Sequence, residues 1–189
     1  DQVFAGTNEG FSEIWWFYCP SGSTTASRYV IYNYAQNIWY YGNLSRTAWI
    51  DSGIRDFPLA ATYNNNVVNH EDGIDDNETG TNAGISSFIT SAQFDLDDGH
   101  RFAFIQKVYP DVTFDGSTAE SPSATLSLFA AQNSGSGRNS PASEGGTNTG
   151  SITRTATAPI EAFTSRLDLR VRGRQLALKI ESSDAGVKW

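Results

Sequence analysis

Three short runs, 13–18 (EIWWFY), 28–34 (RYVIYNY) and 38–42 (IWYYG), crowd tryptophan, tyrosine and β-branched residues between turn-forming Gly, Asn, Ser and Pro. Ring-bearing and β-branched side chains fit a pleated, half-buried surface, so these runs read as strands. Helical periodicity is nearly absent from the chain. Strands are predicted near 12–19, 28–34, 38–42, 46–51, 86–96, 101–109, 124–132, 151–157, 166–172 and 174–182. The one stretch with a helical-turn signal is 158–165 (APIEAFTS), with Pro159 placed to start it. The expected fold class is all-β.

The first strand sets Ile14, Trp16 and Tyr18 against Trp15, Phe17 and Cys19. Both faces are apolar, and both are expected to be covered. Ala35, Gln36 and Asn37 suit a hairpin loop that turns Trp39 back toward Tyr32 and Tyr34. Trp15, Trp16, Trp39 and Trp49 are all expected to pack in a core rather than stack on sugar. Short antiparallel strands with one aromatic motif apiece are how propeller blades are built, so residues 1–70 read as the closing blade or two of a propeller-like domain. The polar, turn-rich stretch 71–84 marks a boundary. Residues 71–189 then read as an antiparallel β-sandwich. Within it, 133–150 holds five glycines and four serines and is expected to be a long flexible loop. Near the end, Leu167, Leu169 and Val171 face inward while Asp168, Arg170 and Arg172 face out. Gly173 breaks that alternation as a tight turn or bulge, and Leu176, Leu178 and Ile180 resume it.

Charge is unevenly distributed. Residues 1–150 carry 17 acidic and 6 basic groups, net −11, whereas 151–189 carry 4 and 7, net +3. Such polarity suits contact between unlike surfaces of neighbouring subunits and argues against tight nucleic-acid binding by the acidic bulk. Cys19 is the only cysteine, so no disulfide forms within the chain and no multi-cysteine zinc site can be built from it. No apolar run approaches the roughly 20 residues of a membrane-spanning helix. The Asp1 start and the lack of methionine read as a piece of a longer polypeptide.

In order, EIWWFY, RYVIYNY, IWYYG, then DGHRFAFIQKVYPDVTF and VRGRQLALKIESSDAGVKW resemble the C-terminal portion of phage tail nozzle proteins. These are the packaged-DNA stabilisation proteins of short-tailed phages, and the likeness runs from about Glu13 to Trp189. The resemblance implies a structural, non-enzymatic virion protein with a propeller-like body and added β-domains. It implies a homo-oligomeric ring, usually a hexamer, below the portal and adaptor and beside a tail spike or fibre. Packaged double-stranded DNA is retained by such a ring and passes through it during infection. The resemblance also implies a virion protein assembled in the bacterial host cytoplasm. No catalytic residue and no cofactor is carried over. This chain is shorter than the family's usual length, lacks upstream blades, and ends where a short tail is expected to continue.

Several residue groups invite other readings. The cluster His70, Glu71, Asp72, Asp75, Asp76, Asn77 and Glu78 contains hard oxygen ligands for a cation, without EF-hand spacing, and Asp95, Asp97, Asp98 and Gly99 resemble only the start of such a loop. A solvated turn is the preferred reading of both. His70 and His100 lack HExxH spacing and read as exposed loop residues. No GxSxG elbow accompanies the plentiful Ser and Asp. Arg166, Arg170, Arg172, Arg174 and Lys179 are the candidate subunit-interface residues, since a conduit that gripped phosphates tightly would resist release. The rival functions are a carbohydrate-binding β-sandwich on a tail fibre or secreted protein, and a tail-associated glycoside hydrolase with paired carboxylates.

Overall fold

The computed structural model describes residues 2–95, 100–131 and 152–189, the last segment with backbone only at 152–153. The chain divides into two compact units, Asp1–Gly73 and Ile74–Trp189. The described residues are all-β: strands in antiparallel sheets, one 3-10 turn at Glu9–Phe11, and no α-helix.

In the first unit, β1 (Val3–Asn8), β2 (Glu13–Tyr18), β3 (Arg28–Asn33) and β4 (Ile38–Asn43) pair in chain order as a four-stranded meander. Ser12, at φ 60, closes the turn between β1 and β2, and Asn37, at φ 56, ends the turn between β3 and β4. Asparagine tolerates this left-handed backbone better than most residues. The alternation of a pleated strand sends Trp15 and Phe17 to one face, where Phe17 is fully buried and Ile31 and Ala26 join them. Phe4 stacks on Phe17 with ring centres 4.9 Å apart. A second sheet, β5 (Ala48–Ile50), β6 (Leu59–Ala61) and β7 (Val67–Asn69), adds Trp49 to this core, where it stacks on Trp15 at 5.1 Å.

The opposite face of β2 departs from the expectation of full cover. Ile14, Trp16 and Tyr18 are half-buried, and Trp16 stacks on Trp39, at 5.9 Å. Trp39 lies opposite Tyr32 as expected, with rings 4.6 Å apart, yet it is 61% exposed and belongs to no core. The reason is the face it occupies. Trp39 lies on the face of the meander opposite the Trp15, Phe17 and Ile31 core, and on its terminal strand, so it is flanked on one side only.

The second unit begins with the short pair β8 (Asp75–Asp76) and β9 (Ala83–Gly84), followed by β10 (Ser87–Thr90), β11 (Phe94–Asp95), β12 (Ala103–Val108), β13 (Ser123–Ala131), β14 (Ile152–Glu161), β15 (Leu167–Gly173) and β16 (Gln175–Ser182). One sheet runs in the order β10-β16-β13-β14, with β11 also paired to β16, and β12 pairs with β15 in a two-stranded ribbon. Leu126, Leu128 and Leu176 from the sheet meet Leu167, Leu169 and Val171 from the ribbon in a single buried cluster. Strand β15 alternates buried and exposed residues without a break. At Gly173 the chain leaves the ribbon, and at Gln175 it enters the sheet. A Cβ at Gly173 would lie 2.9 Å from the Ala130 Cβ and 3.0 Å from the Ala131 carbonyl oxygen, so this crossing needs glycine for close approach.

Two local expectations are corrected. Residues 158–161 extend β14 instead of starting a helical turn, and Pro159 lies opposite Thr125. β14 is the last strand in its sheet, the position where a strand tolerates proline. The predicted strand 86–96 is interrupted between β10 and β11. There the Ser91 hydroxyl, instead of a backbone carbonyl, accepts the Leu178 N–H at 2.9 Å. Strand β1 was missed, since Gly6 and Asn8 in VFAGTN weaken its pattern. The expected loop 133–150 lies outside the described residues.

Candidate interaction surfaces

The predicted basic residues do not form one cluster. Arg170 and Arg172 project from the exposed face of β15, where Arg172 lies opposite Phe104 and Asp168 lies opposite Lys107. Just before the strand, Arg166 reaches Asp168 at 3.1 Å; both side chains are largely exposed, so the pair contributes little to stability. Arg172 and Arg174 both place their guanidinium groups over the Phe102 ring, at 4.8 and 5.1 Å. The Arg174 Nε is buried and has no hydrogen-bond partner among the described residues. Phe104 is 53% exposed. Lys179 stands apart: it belongs to β16 in the other sheet, pairs with Glu181, and lies 5.3 Å from the Phe88 ring centre. Sequence reasoning grouped Lys179 with the arginines by proximity along the chain, and missed Phe102, Phe104 and Lys107 because strand pairing is long-range.

A second surface is apolar. The outer face of the four-stranded meander carries Trp16, Tyr32, Trp39 and Tyr41 in adjacent register positions, with Tyr41 51% exposed. A contiguous exposed aromatic patch is the kind of surface that serves interaction sites.

A polar cluster surrounds Trp15 and Trp49. The Trp15 indole N–H donates to Glu13 at 3.0 Å, and the Trp49 indole N–H donates to the Thr7 carbonyl at 2.7 Å. Buried Arg46 donates through Nε to His70 Nε2 at 2.9 Å, and the His70 ring lies 4.7 Å from that of Trp49. His70 is thus half-buried and engaged, not the solvated loop residue expected, because the unit folds its terminal segment onto Trp49. Burial, and then the nearby charge of Glu13, hold the Glu71 carboxyl above its ordinary value, while a 3.4 Å hydrogen bond from Asn8 pulls it down. His100 is exposed.

The acidic residues of 70–78 do not converge on one point. Asp72 accepts from Asn69 at 3.0 Å, Asp75 from the Gly186 N–H at 2.6 Å, and Asp76 from the Glu78 N–H at 2.9 Å. These three carboxylates are each engaged by their own N–H donor. Among the described residues no group of three or more His, Cys, Asp or Glu side chains is placed to hold a metal ion. Asp95 lies in β11, while Asp97, Asp98 and Gly99 lie outside the described residues. No helix of the described residues is long and apolar enough to cross a membrane.

No family model matches the chain, and no curated protein matches it.

Proposed function

We propose that this chain is a structural, non-enzymatic subunit of a phage tail nozzle. About six copies form a ring in the virion below the portal and adaptor, retain packaged DNA, and pass it during infection. The observation that carries this reading is the uncovered aromatic face of the meander, where Trp39 and Tyr41 lie more than half exposed beside Trp16. A subunit that worked alone in water would gain by burying that face; one that assembles keeps it for a neighbouring sheet. The four strands paired in chain order suit a propeller blade, whose face packs on the next blade. The second unit, with one core between a sheet and a ribbon, suits a β-sandwich. The resemblance of EIWWFY, RYVIYNY, IWYYG and VRGRQLALKIES to nozzle proteins supplies the remaining support. Negative-stain electron microscopy of the full-length protein tests the reading: closed rings are expected, and a population of single particles only would refute it.

A second reading is favoured by one specific observation. The Trp39 ring, open to solvent and flanked by Trp16 and Tyr32, is a surface on which a sugar ring can stack. Glycan-array binding abolished by Trp39→Ala would select this carbohydrate-binding reading over the conduit.

A further inference from the structure

We infer that Arg46, His70 and Trp49 form an acid-sensitive latch: it holds the last residues of the first unit, 69–73, against the body of that unit, and a proton taken up by the His70 ring opens it. The inference goes beyond the ring reading and does not rest on it.

The latch has a fixed side and a moving side. Arg46 is buried, its N–H donates to the Ala26 carbonyl at 3.2 Å, and its Nη1 donates to the Ser45 carbonyl at 2.7 Å. That guanidinium is therefore anchored in the unit. Its Nε donates to His70 Nε2 at 2.9 Å. His70 lies against the Trp49 ring at 4.7 Å, and its own backbone N–H donates to the Pro58 carbonyl at 2.8 Å. A guanidinium offers only donors, so the contact lasts as long as the imidazole nitrogen offers a lone pair. A proton on that nitrogen removes the acceptor and sets a second positive charge against a buried one.

The charged groups on the neighbouring elements are turned elsewhere. Glu71 accepts from Asn8 of β1 at 3.4 Å, Glu13 of β2 accepts the Trp15 indole N–H, Asp51 beyond β5 accepts from Thr7 and Glu9, and Asp72 accepts from Asn69. Burial, and then Glu13, hold the Glu71 carboxyl above its ordinary value, the opposite of what a neighbouring cation does to a carboxylate. The segment is also strained where it leaves His70: Glu71 has φ 61, a left-handed backbone that a residue with a side chain adopts at a cost. Release of His70 lets that strain relax. The latch is closed above the imidazole range and opens as pH falls through it, whereas the Glu71 carboxyl acts in the opposite sense.

Hydrogen exchange of the full-length protein, expressed as protection relative to the unfolded chain at each pH, tests this. From pH 8 to pH 5 the protection of amides 69–73 is expected to fall about tenfold or more, with that of β13 changed by under about twofold. His70→Gln keeps an acceptor and takes up no proton in this range, so its fall is expected to stay under about twofold; Glu71→Gln is expected to keep the wild-type fall. The midpoint in the wild type is expected to coincide with the titration of the His70 ring followed by NMR, a measurement that stands even if His70→Gln does not fold. Protection of 69–73 that ignores pH, an equal fall in His70→Gln, or a midpoint away from the ring's own titration would overturn the inference. A fall abolished by Glu71→Gln alone would assign the effect to the carboxyl and overturn it as well. None of these outcomes alters the number of copies in the particle, so the ring reading stands or falls separately.

Discussion

Replacing Gly6 with alanine is expected to destabilise the first unit far more than one added methyl group suggests. Gly6 lies opposite Trp15 in the β1–β2 register, and Trp49 packs directly over its backbone. A Cβ there would fall 2.2 Å from the Trp49 Cδ1 and 2.7 Å from its Cγ. The indole cannot slide away freely. Its N–H is held by the Thr7 carbonyl at 2.7 Å, and its ring is stacked on Trp15 at 5.1 Å and set against His70 at 4.7 Å. Overpacking costs about 1–3 kcal/mol. Losing the indole hydrogen bond adds about 0.5–1.5 kcal/mol, and disturbing the aromatic stack adds a similar amount. These overlap, so the expected loss is roughly 2–4 kcal/mol. Urea denaturation followed by tryptophan fluorescence reads it directly. In a Trp49→Ala background the same Gly6→Ala change should cost under about 1 kcal/mol, since the colliding ring is gone. A loss below about 0.5 kcal/mol in the wild type, or an equal loss in both backgrounds, would refute the reasoning.

Three further outcomes are expected. Leu128→Ala, at a position only 2% exposed in the core shared by sheet and ribbon, should cost the second unit about 2–5 kcal/mol by denaturant titration. Gly173→Ala should cost about 1–3 kcal/mol in the same unit, because the atoms it meets include the Ala131 backbone, which cannot rotate aside. Stability of the first unit should carry two opposed pH effects. Burial and Glu13 raise the Glu71 carboxyl above 4.5, so the folded chain holds that proton longer and loses stability as pH rises through the window above 4.5; Glu71→Gln should flatten this loss. For Asp51, burial raises the carboxyl, but hydrogen bonds from Thr7, Ser52 and Glu9 outweigh it and leave it below 3.8. Its contribution is therefore present above 3.8 and lost as pH falls below that value, and Asp51→Asn should remove it.

Strand content was legible wherever one strand's own alternation decides burial. LDLRVRG shows its inner and outer faces in the order of its letters, and β15 follows them residue by residue. Pairing partners were not legible in the same way. Phe104 joins Arg172, and Lys179 leaves the arginines, only because β12 crosses to β15 while β16 joins another sheet. The aromatic runs gave β2, β3 and β4 correctly, but their composition says nothing about which strand stands last in the sheet. That position, on the face away from the core, leaves Trp39 in solvent. Pro159 misled for the opposite reason: proline signals a helix start and is equally at home in the last strand of a sheet. The engaged state of His70 depends on Arg46, 24 residues away, and no local pattern announces it.

The claim on which this account rests is that the exposed aromatic face of the meander exists to be covered by neighbouring copies. Native mass spectrometry of the full-length protein, at micromolar concentration and moderate salt, tests it most directly. A closed ring of about six copies is the predicted result, and a protein that remains a single folded chain across the whole concentration range would contradict it.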